Sequence, residues 1–460
     1  MRFYHVDKVA NYKSGALNLA LELMDTRCSH IVVVDSDYQA LLHAREAITN
    51  AIKNHPDHAL LQFPQFYRDQ GLEDVHSELN HYFNYHLYRS FNRQRALSTG
   101  TFAVIRKQAL VDLGGWSGAS ITEDAQMGVL MHGQGLKSQF IPEVITTGLL
   151  PNTLPDLIAQ RQRWIYGNMQ VLTCYFASNK NLKANTVKPL SAKSLSSSFE
   201  RLSYIRAHLS QLSAWVNFTG LFILLQLATL LIVTGALLLN IDANMSLLLA
   251  PLYVVYTSYL LFMGRRLWAY SQDNLPLNDQ VSKAKKTDNN TELPIQNIKK
   301  RIRAWLLHLN FWELGALSWM PVLWGRDKPF VCTPKQVTSS TTRSTFVANI
   351  VALPKLLLTL NLITLLLVAP FSPFYSPVLF SCALIVCIVK VLAANVALKN
   401  YRYQQSEAKI INFKDYNHHK DLLKPSKKVI SLAKARATTS QAIGRHATNK
   451  PYRDKEVANS

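Results

Sequence analysis

Acidic residues are scarce in this chain: 29 Asp and Glu stand against 50 Lys and Arg in 460 residues, a formal net charge of +21. That balance would suit a nucleic-acid partner, but the basic residues gather in the wrong places. The tail 399–460 carries 14 Lys and Arg against 5 acids, and much of the rest flanks long uncharged runs, where retention of positive charge on the cytoplasmic side accounts for it. No nucleic acid is therefore expected among the partners. Cysteine is scarcer still. Cys28, Cys174, Cys332, Cys382 and Cys387 show no paired spacing, and none falls in a clearly extracytoplasmic loop. That argues against both a zinc site and a disulfide framework. The opening Met1-Arg-Phe-Tyr-His-Val reads as a strand rather than a cleavable signal peptide.

Charge is missing altogether from several long stretches. Trp215–Asn240 is uncharged and long enough to cross a hydrocarbon core of roughly 30 Å, which takes about 20 apolar residues. Ala243–Met263 follows, closed by Arg265 and Arg266, while the connector before it holds only Asp242; the basic end therefore belongs to the cytoplasm. Leu356–Val389 is also uncharged, interrupted by Pro370, Pro373 and Pro377, so spans are expected near 215–240, 243–266, 347–369 and 377–397. Arg303–Trp324 is apolar but carries His308 and Glu313 and is flanked by basic residues on both sides. It reads as an amphipathic segment at the interface rather than a crossing. A chain of this length holds one sizeable core plus a second region, here a soluble half followed by a membrane half.

The soluble half alternates β-rich and helical runs: Arg2–Val6, Gly15–Met24, His30–Val34, Ala40–Asn54 and Ala59–Phe63. Such alternation predicts a mostly parallel sheet covered on both faces, with ligands beyond the carboxyl ends of its strands. Asp35 and Asp37 stand at such an end, although two acids after a strand are more often turn chemistry than a metal site. Thr122-Glu123-Asp124 precedes a helical pattern over Ala125–His132, and alone it reads as an N-cap with acids in the first turn. Gln160, Arg163 and Trp164 fall at i, i+3 and i+4 and share one helical face. An arginine beside an indole offers an anion ligand next to a flat apolar plate for a sugar ring.

In order, Lys13-Ser-Gly-Ala-Leu-Asn18, Asp35-Ser-Asp37, Gln62-Phe-Pro-Gln65, Ser98-Thr-Gly100-Thr, Thr122-Glu-Asp124, Gln160-Arg-Gln-Arg-Trp164 and Phe330-Val-Cys-Thr-Pro-Lys335 resemble the cellulose-synthase-like, membrane-bound processive glycosyltransferases of family 2. The resemblance implies an α/β GT-A domain that binds a nucleotide sugar, followed by an α-helical transmembrane domain through which the polymer leaves. It implies Mg²⁺ or Mn²⁺ on Asp35 and Asp37, with Asp37 the direct ligand, and Lys13 near the nucleotide. Asp124 becomes the general base, with Glu123 and Thr122 shaping the site. Gln160, Arg161 and Arg163 face the leaving diphosphate and Trp164 stacks the acceptor sugar. Thr333 and Lys335 belong to a gating loop in which Cys332 replaces the usual Val.

The implied boundaries are a catalytic domain over 1–152, an interfacial helix and linker over 153–200, spans at 215–240 and 243–266, a cytoplasmic or interfacial segment over 267–345, two further helices within 346–397, and a basic cytoplasmic tail at 399–460. The implied partners are a nucleotide-sugar donor, a growing polysaccharide, the lipid of a bacterial inner membrane and other synthase subunits. The sequence departs from the family pattern at its start, where the Asp expected to meet the uracil end of the donor has no counterpart. The chain is therefore expected to be truncated, with a GT-A domain incomplete at its N-terminus, and to bind donor and polymerise poorly. The tail lacks an RxxxR motif and is too short for a cyclic-di-GMP-binding barrel. Competing readings are a poly-N-acetylglucosamine or hyaluronan type synthase, a lipid-linked glycosyltransferase, and an inactive partner of an active synthase.

Overall fold

A computed structural model of the protein describes residues 6, 9–67, 72–89, 93–173, 198–241, 244–272, 294–325 and 342–407. The first part runs α1 (Tyr12–Glu22), β1 (His30–Val33), β2 (Gln39–Ala40), α2 (Ala44–Asn54), β3 (His58–Gln62) and α3 (Glu73–His81), which continues into a π-helical turn (Tyr82–Tyr88). Then come β4 (Ala103–Arg106), α4 (Lys107–Asp112), α5 (Glu123–Gly133), β5 (Lys137–Phe140) and β6 (Thr146–Thr147). The strand expected over 2–6 falls, Val6 apart, outside the described residues. The helix expected from Ala40 starts only at Ala44, because Gln39 and Ala40 pair with Thr147 and Thr146 as a small second sheet.

The main sheet has the order β1-β4-β3-β5 and is not mostly parallel. Strand β4 lies between β1 and β3 and runs against both, leaving β3–β5 as the one parallel pair among the described strands. Strands β1, β3 and β5 do run the same way, as strand–helix alternation requires; the reversed strand simply separates two of them. Both faces of the sheet are covered, because successive side chains point to opposite sides. Leu60 and Ile105 pack with Ile31, Trp116, Met127 and Met131 toward α5. Leu61 and Val104 pack with Phe63, Phe102, Ala44, Ala47 and Ala51 toward α2.

The second part holds α6 (Leu154–Thr173), α7 (Ser198–Leu212), α8 (Gly220–Leu238), α9 (Met245–Ser271), α10 (Pro294–Asn310), α11 (Trp312–Leu317), α12 (Met320–Leu323), α13 (Thr342–Ala352), α14 (Leu356–Leu367) and α15 (Pro377–Glu407). Three helical stretches, Gly220–Leu238, Ser246–Ser271 and Pro377–Tyr401, are long and apolar enough to cross a membrane. The span expected near 347–369 corresponds to a pair of helices, Phe346–Ala352 and Leu356–Leu367, bent by 67°. Pro354 sits in the break, and proline removes a helical donor and clashes with the preceding turn. Residues 303–324 are likewise split between α10, α11 and α12.

Buried polar groups tie these helices together. The Gln226 amide donates to Tyr256 Oη at 3.3 Å and Thr364 Oγ1 at 3.2 Å and accepts from Tyr259 at 2.9 Å, while Tyr256 donates to Asn361 at 2.8 Å. Glu313 of α11 accepts from the Leu357 N–H at 2.5 Å, at the start of α14, and lies 3.6 Å from Lys390 of α15. In an apolar medium such interhelical side-chain contacts hold helices together.

Candidate active site

Lys13 and three carboxylates converge although Lys13 and Asp124 are 111 positions apart in the chain. Lys13 Nζ, on the first turn of α1, donates to Asp35 Oδ1 at 2.8 Å and lies 3.5 Å from Glu123 Oε1. Asp35 stands two residues past β1, where its N–H donates to Thr101 Oγ1 at 3.1 Å and its carbonyl accepts from Tyr38 N–H at 3.0 Å. Gly100 marks the middle of the cluster, with φ of 89° and a backbone so placed that a Cβ would come within 2.8 Å of Asp124 Oδ2 and 3.7 Å of Lys13 Nζ. Glycine alone carries that backbone without strain and leaves room for the Asp124 carboxylate.

The electrostatics follow from this crowding. Burial, then the neighbouring Glu123 charge, pushes the Asp124 carboxyl up to about 7, against the pull of Lys13 and the Ala125 N–H. Burial works against the Lys13 ammonium, but Asp35, Glu123 and Asp124 outweigh it and hold Lys13 above its ordinary range. A carboxylate that titrates near neutrality is suited to proton abstraction there.

Short-range bonds fix the loops that carry these groups. The Gln62 amide donates to the Phe63 and Thr101 carbonyls, at 2.7 and 3.1 Å, and accepts from Thr99 N–H at 2.9 Å. Gln65 donates to the Thr99 carbonyl at 2.7 Å, and Tyr38 donates to Gln65 at 2.9 Å. Asn18 brackets the Gly-Gly-Trp turn, donating to the Trp116 carbonyl at 2.9 Å and accepting from its N–H at 2.8 Å. Thr122 precedes α5 but makes no side-chain cap bond; its hydroxyl bonds Ser120 Oγ at 3.0 Å. Ser120 in turn donates to the Gly167 carbonyl of α6 at 3.1 Å, so the Thr122-Glu123-Asp124 turn rests directly on α6.

That helix divides its predicted residues. Gln160 is buried, Arg163 and Trp164 are half-buried, and Arg161 is only 1% exposed. Arg161 is expected at the leaving diphosphate, but the structure commits it elsewhere: its Nη2 donates to the buried Glu78 carboxylate at 2.7 Å. Two positions before Arg163, it stands about 200° around the helix from it and turns inward. Its guanidinium lies 4.4 Å from the Trp164 ring centre and 5.1 Å from that of Trp215. Trp215 stacks on Tyr82 with ring centres 5.0 Å apart, and Tyr82 is close enough to feel the Asp124 charge. Trp164, Trp215 and Tyr82 thus form a contiguous row of rings, with Trp164 tilted by 50° to Trp215 at 5.2 Å between centres. Glu78, Tyr82 and Trp215 escaped sequence reasoning; Trp215 had one available signal, as an indole opening an uncharged run. Thr333 and Lys335 lie outside the described residues.

Two oxygen donors, Asp35 and Asp37, fit a hard divalent cation, which commonly takes one or two carboxylates and completes its shell with substrate phosphate and water. Both have partial solvent access, and Asp35 is paired with the Lys13 ammonium at 2.8 Å. Among the described residues no group of three or more His, Cys, Asp or Glu side chains gathers as a metal cage. The carboxylate pair is thus suited to a metal shared with a substrate.

The sequence is similar to a UDP-forming catalytic subunit of cellulose synthase from Dictyostelium discoideum, 27% identical over 183 residues, which cover 36% of this chain and 16% of that one. It is also similar to the poly-beta-1,6-N-acetyl-D-glucosamine synthase of Staphylococcus aureus (strain COL), 35% identical over 85 residues, or 18% of this chain and 21% of the relative. The matches thus span about a fifth or less of those relatives. The family model described as Glycosyl transferase family group 2 matches residues 30–271, more than half of the chain and the part that holds Asp35, Asp37, Asp124 and Trp164. With a mixed α/β sheet bearing these motifs and apolar helices following it, the chain belongs to glycosyl transferase family group 2.

Proposed function

We propose that the chain is an inverting, processive glycosyltransferase. It would add sugar from a UDP-sugar, UDP-glucose in the first instance, to a β-glucan such as cellulose, and export the product through its membrane helices. The observation that carries this reading is the meeting of Lys13, Asp35, Glu123 and Asp124 around Gly100. Asp124 takes the proton from the acceptor hydroxyl as its oxygen attacks the anomeric carbon, and the bond to the nucleoside diphosphate breaks on the opposite face. An α-linked donor thereby gives a β-linked product.

Asp35 and Asp37 would hold Mg²⁺ or Mn²⁺, which when bound supplies positive charge for the diphosphate. Lys13 adds a fixed charge on the same side, and Arg163 and Gln160 on α6 are assigned to the leaving group. Trp164 presents a flat apolar face to the terminal acceptor sugar. The domain limits read from the sequence, 1–152 for catalysis and 215–397 for the membrane part, belong to the same proposal. So does a cytoplasmic catalytic face at a bacterial inner membrane, supported by Arg265 and Arg266 closing their span.

A second donor, UDP-N-acetylglucosamine, is favoured by the 35% identity to the Staphylococcus aureus relative. Membranes from cells expressing the chain should incorporate label from one of the two donors into polymer, lose that activity with EDTA and regain it with Mg²⁺ or Mn²⁺. Asp124→Asn should lower incorporation by about a hundredfold to ten-thousandfold, the range for a positioned general base. Wild-type incorporation by Asp124→Asn would instead point to a scaffold beside another synthase.

A further inference from the structure

We propose that Glu78 is a positioning residue for the acceptor: through one shared buried carboxylate it sets the row of rings formed by Trp164, Trp215 and Tyr82. This rests on the transfer reading above and extends it to a residue in none of the motifs. Glu78 is in the middle of α3 and 1% exposed. One carboxylate oxygen accepts from Arg161 at 2.7 Å and the other from the Trp215 indole N–H at 2.6 Å, with His308 Nδ1 3.5 Å away. Arg161 lies against Trp164, Trp215 and Phe311, so one acid fixes both an indole and the cation that spaces two indoles.

The geometry excludes a simpler role as a stray buried charge. Burial alone would raise the Glu78 pKa, yet Arg161, His308 and Trp215 more than reverse it and hold it at about 2. His308 is itself lowered to about 4, chiefly by burial, so the pair Glu78 and Arg161 is electrically closed at neutral pH. A buried pair of this kind adds little net stability compared with apolar residues and is better suited to fixing one arrangement.

The rest of α3 supports a bracing role. Four residues before Glu78, Asp74 accepts from Arg303 of α10 at 2.8 and 2.6 Å and from Asn400 of α15 at 2.7 Å. Three residues after it, His81 stacks on Tyr270 of α9 at 3.7 Å. Positions 74, 78 and 81 share one helical face, and that face meets the helices that follow the α/β domain. The row of rings is thus anchored to the region through which the product is proposed to leave.

The test uses the full chain in detergent, labelled with 5-fluorotryptophan, as wild type, Glu78→Gln, and Glu78→Gln combined with Arg161→Met. The double variant removes both charges and so keeps a folded protein in hand if Glu78→Gln leaves Arg161 buried alone and unfolds. Trp→Phe variants at 164 and 215 assign the two fluorine resonances. UDP with Mg²⁺ probes the donor side; β-linked hexasaccharides of glucose and of N-acetylglucosamine probe the acceptor side.

Both Glu78 variants should bind UDP within about twofold of wild type while hexasaccharide affinity drops by about tenfold or more. Both fluorine resonances should move, and the KM for saccharide should rise while that for donor holds. Hexasaccharide affinity unchanged in the double variant, or a UDP loss as large as the saccharide loss, would overturn the proposal. If wild type binds UDP but neither hexasaccharide, the transfer reading fails by itself. Glu78 is then judged on the fluorine spectra, where unmoved Trp164 and Trp215 signals refute its positioning role and moved signals uphold it.

Discussion

Glu123→Gln offers the sharpest check on Asp124 as the base. Burial and the Glu123 charge together raise the Asp124 pKa from an ordinary 3.8 to about 7. A base works only when ionised, so about half the molecules are competent near pH 7 and roughly a tenth near pH 6. The kcat/KM for transfer should therefore decline on the acid side with a midpoint near 7. Replacing Glu123 by Gln removes the like charge but leaves the burial, so Asp124 moves part of the way back. A displacement of about one pH unit, equivalent to ~1.4 kcal/mol, would raise the relative rate near pH 6 about fivefold. Lys13→Met must act in the opposite sense, because Lys13 stabilises the ionised form. Initial rates with labelled donor, each variant scaled to its own plateau, separate the limb from any loss of donor binding. Limbs that stay in place in both variants, or move the same way in both, would refute the assignment.

Gly100→Ala should lower kcat by about a hundredfold through displacement of the base, since its Cβ would fall 2.8 Å from Asp124 Oδ2 at a φ of 89°; circular dichroism should show the fold retained, and an unimpaired kcat would mean that Gly100 does not mark the site. His132 gives a stability test away from catalysis. Its ring, 0% exposed and bonded to His208 at 2.7 Å and Ser138 at 2.8 Å, is lowered from 6.5 to about 3, first by burial and then by Arg95. The folded pKa is depressed, so its contribution is complete above the unfolded value and is lost as pH falls toward the folded one. Near pH 5 the loss is about 2 kcal/mol. Urea unfolding near pH 7 and near pH 5 should show a smaller pH dependence in His132→Gln than in wild type, and identical dependences would refute the argument.

The order of motifs told which residues belong together, and distances now relate Lys13, Asp35, Glu123 and Asp124 directly. Periodicity found β1, β3 and α2 to within a few residues, because short apolar runs bounded by turn residues carry that information. It could not find β4, four residues between Phe102 and Lys107 that look like any apolar run until a partner is known. Arg161 was misplaced for a related reason. In Gln160-Arg-Gln-Arg-Trp164 two arginines look alike, and only the acid on α3, 83 residues earlier, decides which one turns inward. Glu78 itself offers no local signal, being one acid among several in a polar helix. The bend at 353–355 was legible in Pro354 and the adjacent Lys355, which together close the apolar run that starts at Phe346.

The reversed strand explains why the site forms where it does. Ala103 at the start of β4 pairs with Val33 on one side and Gln62 on the other, so the beginning of β4 lies level with the ends of β1 and β3. A parallel strand there would have sent Ser98–Thr101 to the far edge of the sheet. Running backwards, β4 brings Gly100 and Thr101 to the carboxyl edge, where Thr101 Oγ1 receives the Asp35 N–H at 3.1 Å and Thr99 N–H reaches Gln62 at 2.9 Å. Phe102 makes this entry with φ of 47°, a conformation costing a non-glycine residue about 1–3 kcal/mol. Its N–H donates to the Val33 carbonyl at 2.8 Å and its carbonyl accepts from Phe63 at 3.3 Å, and its ring is 2% exposed in the core. Those bonds and that burial offset the strain and hold Gly100 between Lys13 and Asp124. The rule that ligands gather beyond the carboxyl ends of strands is met here by three loops, and the third reaches that edge because its strand is antiparallel.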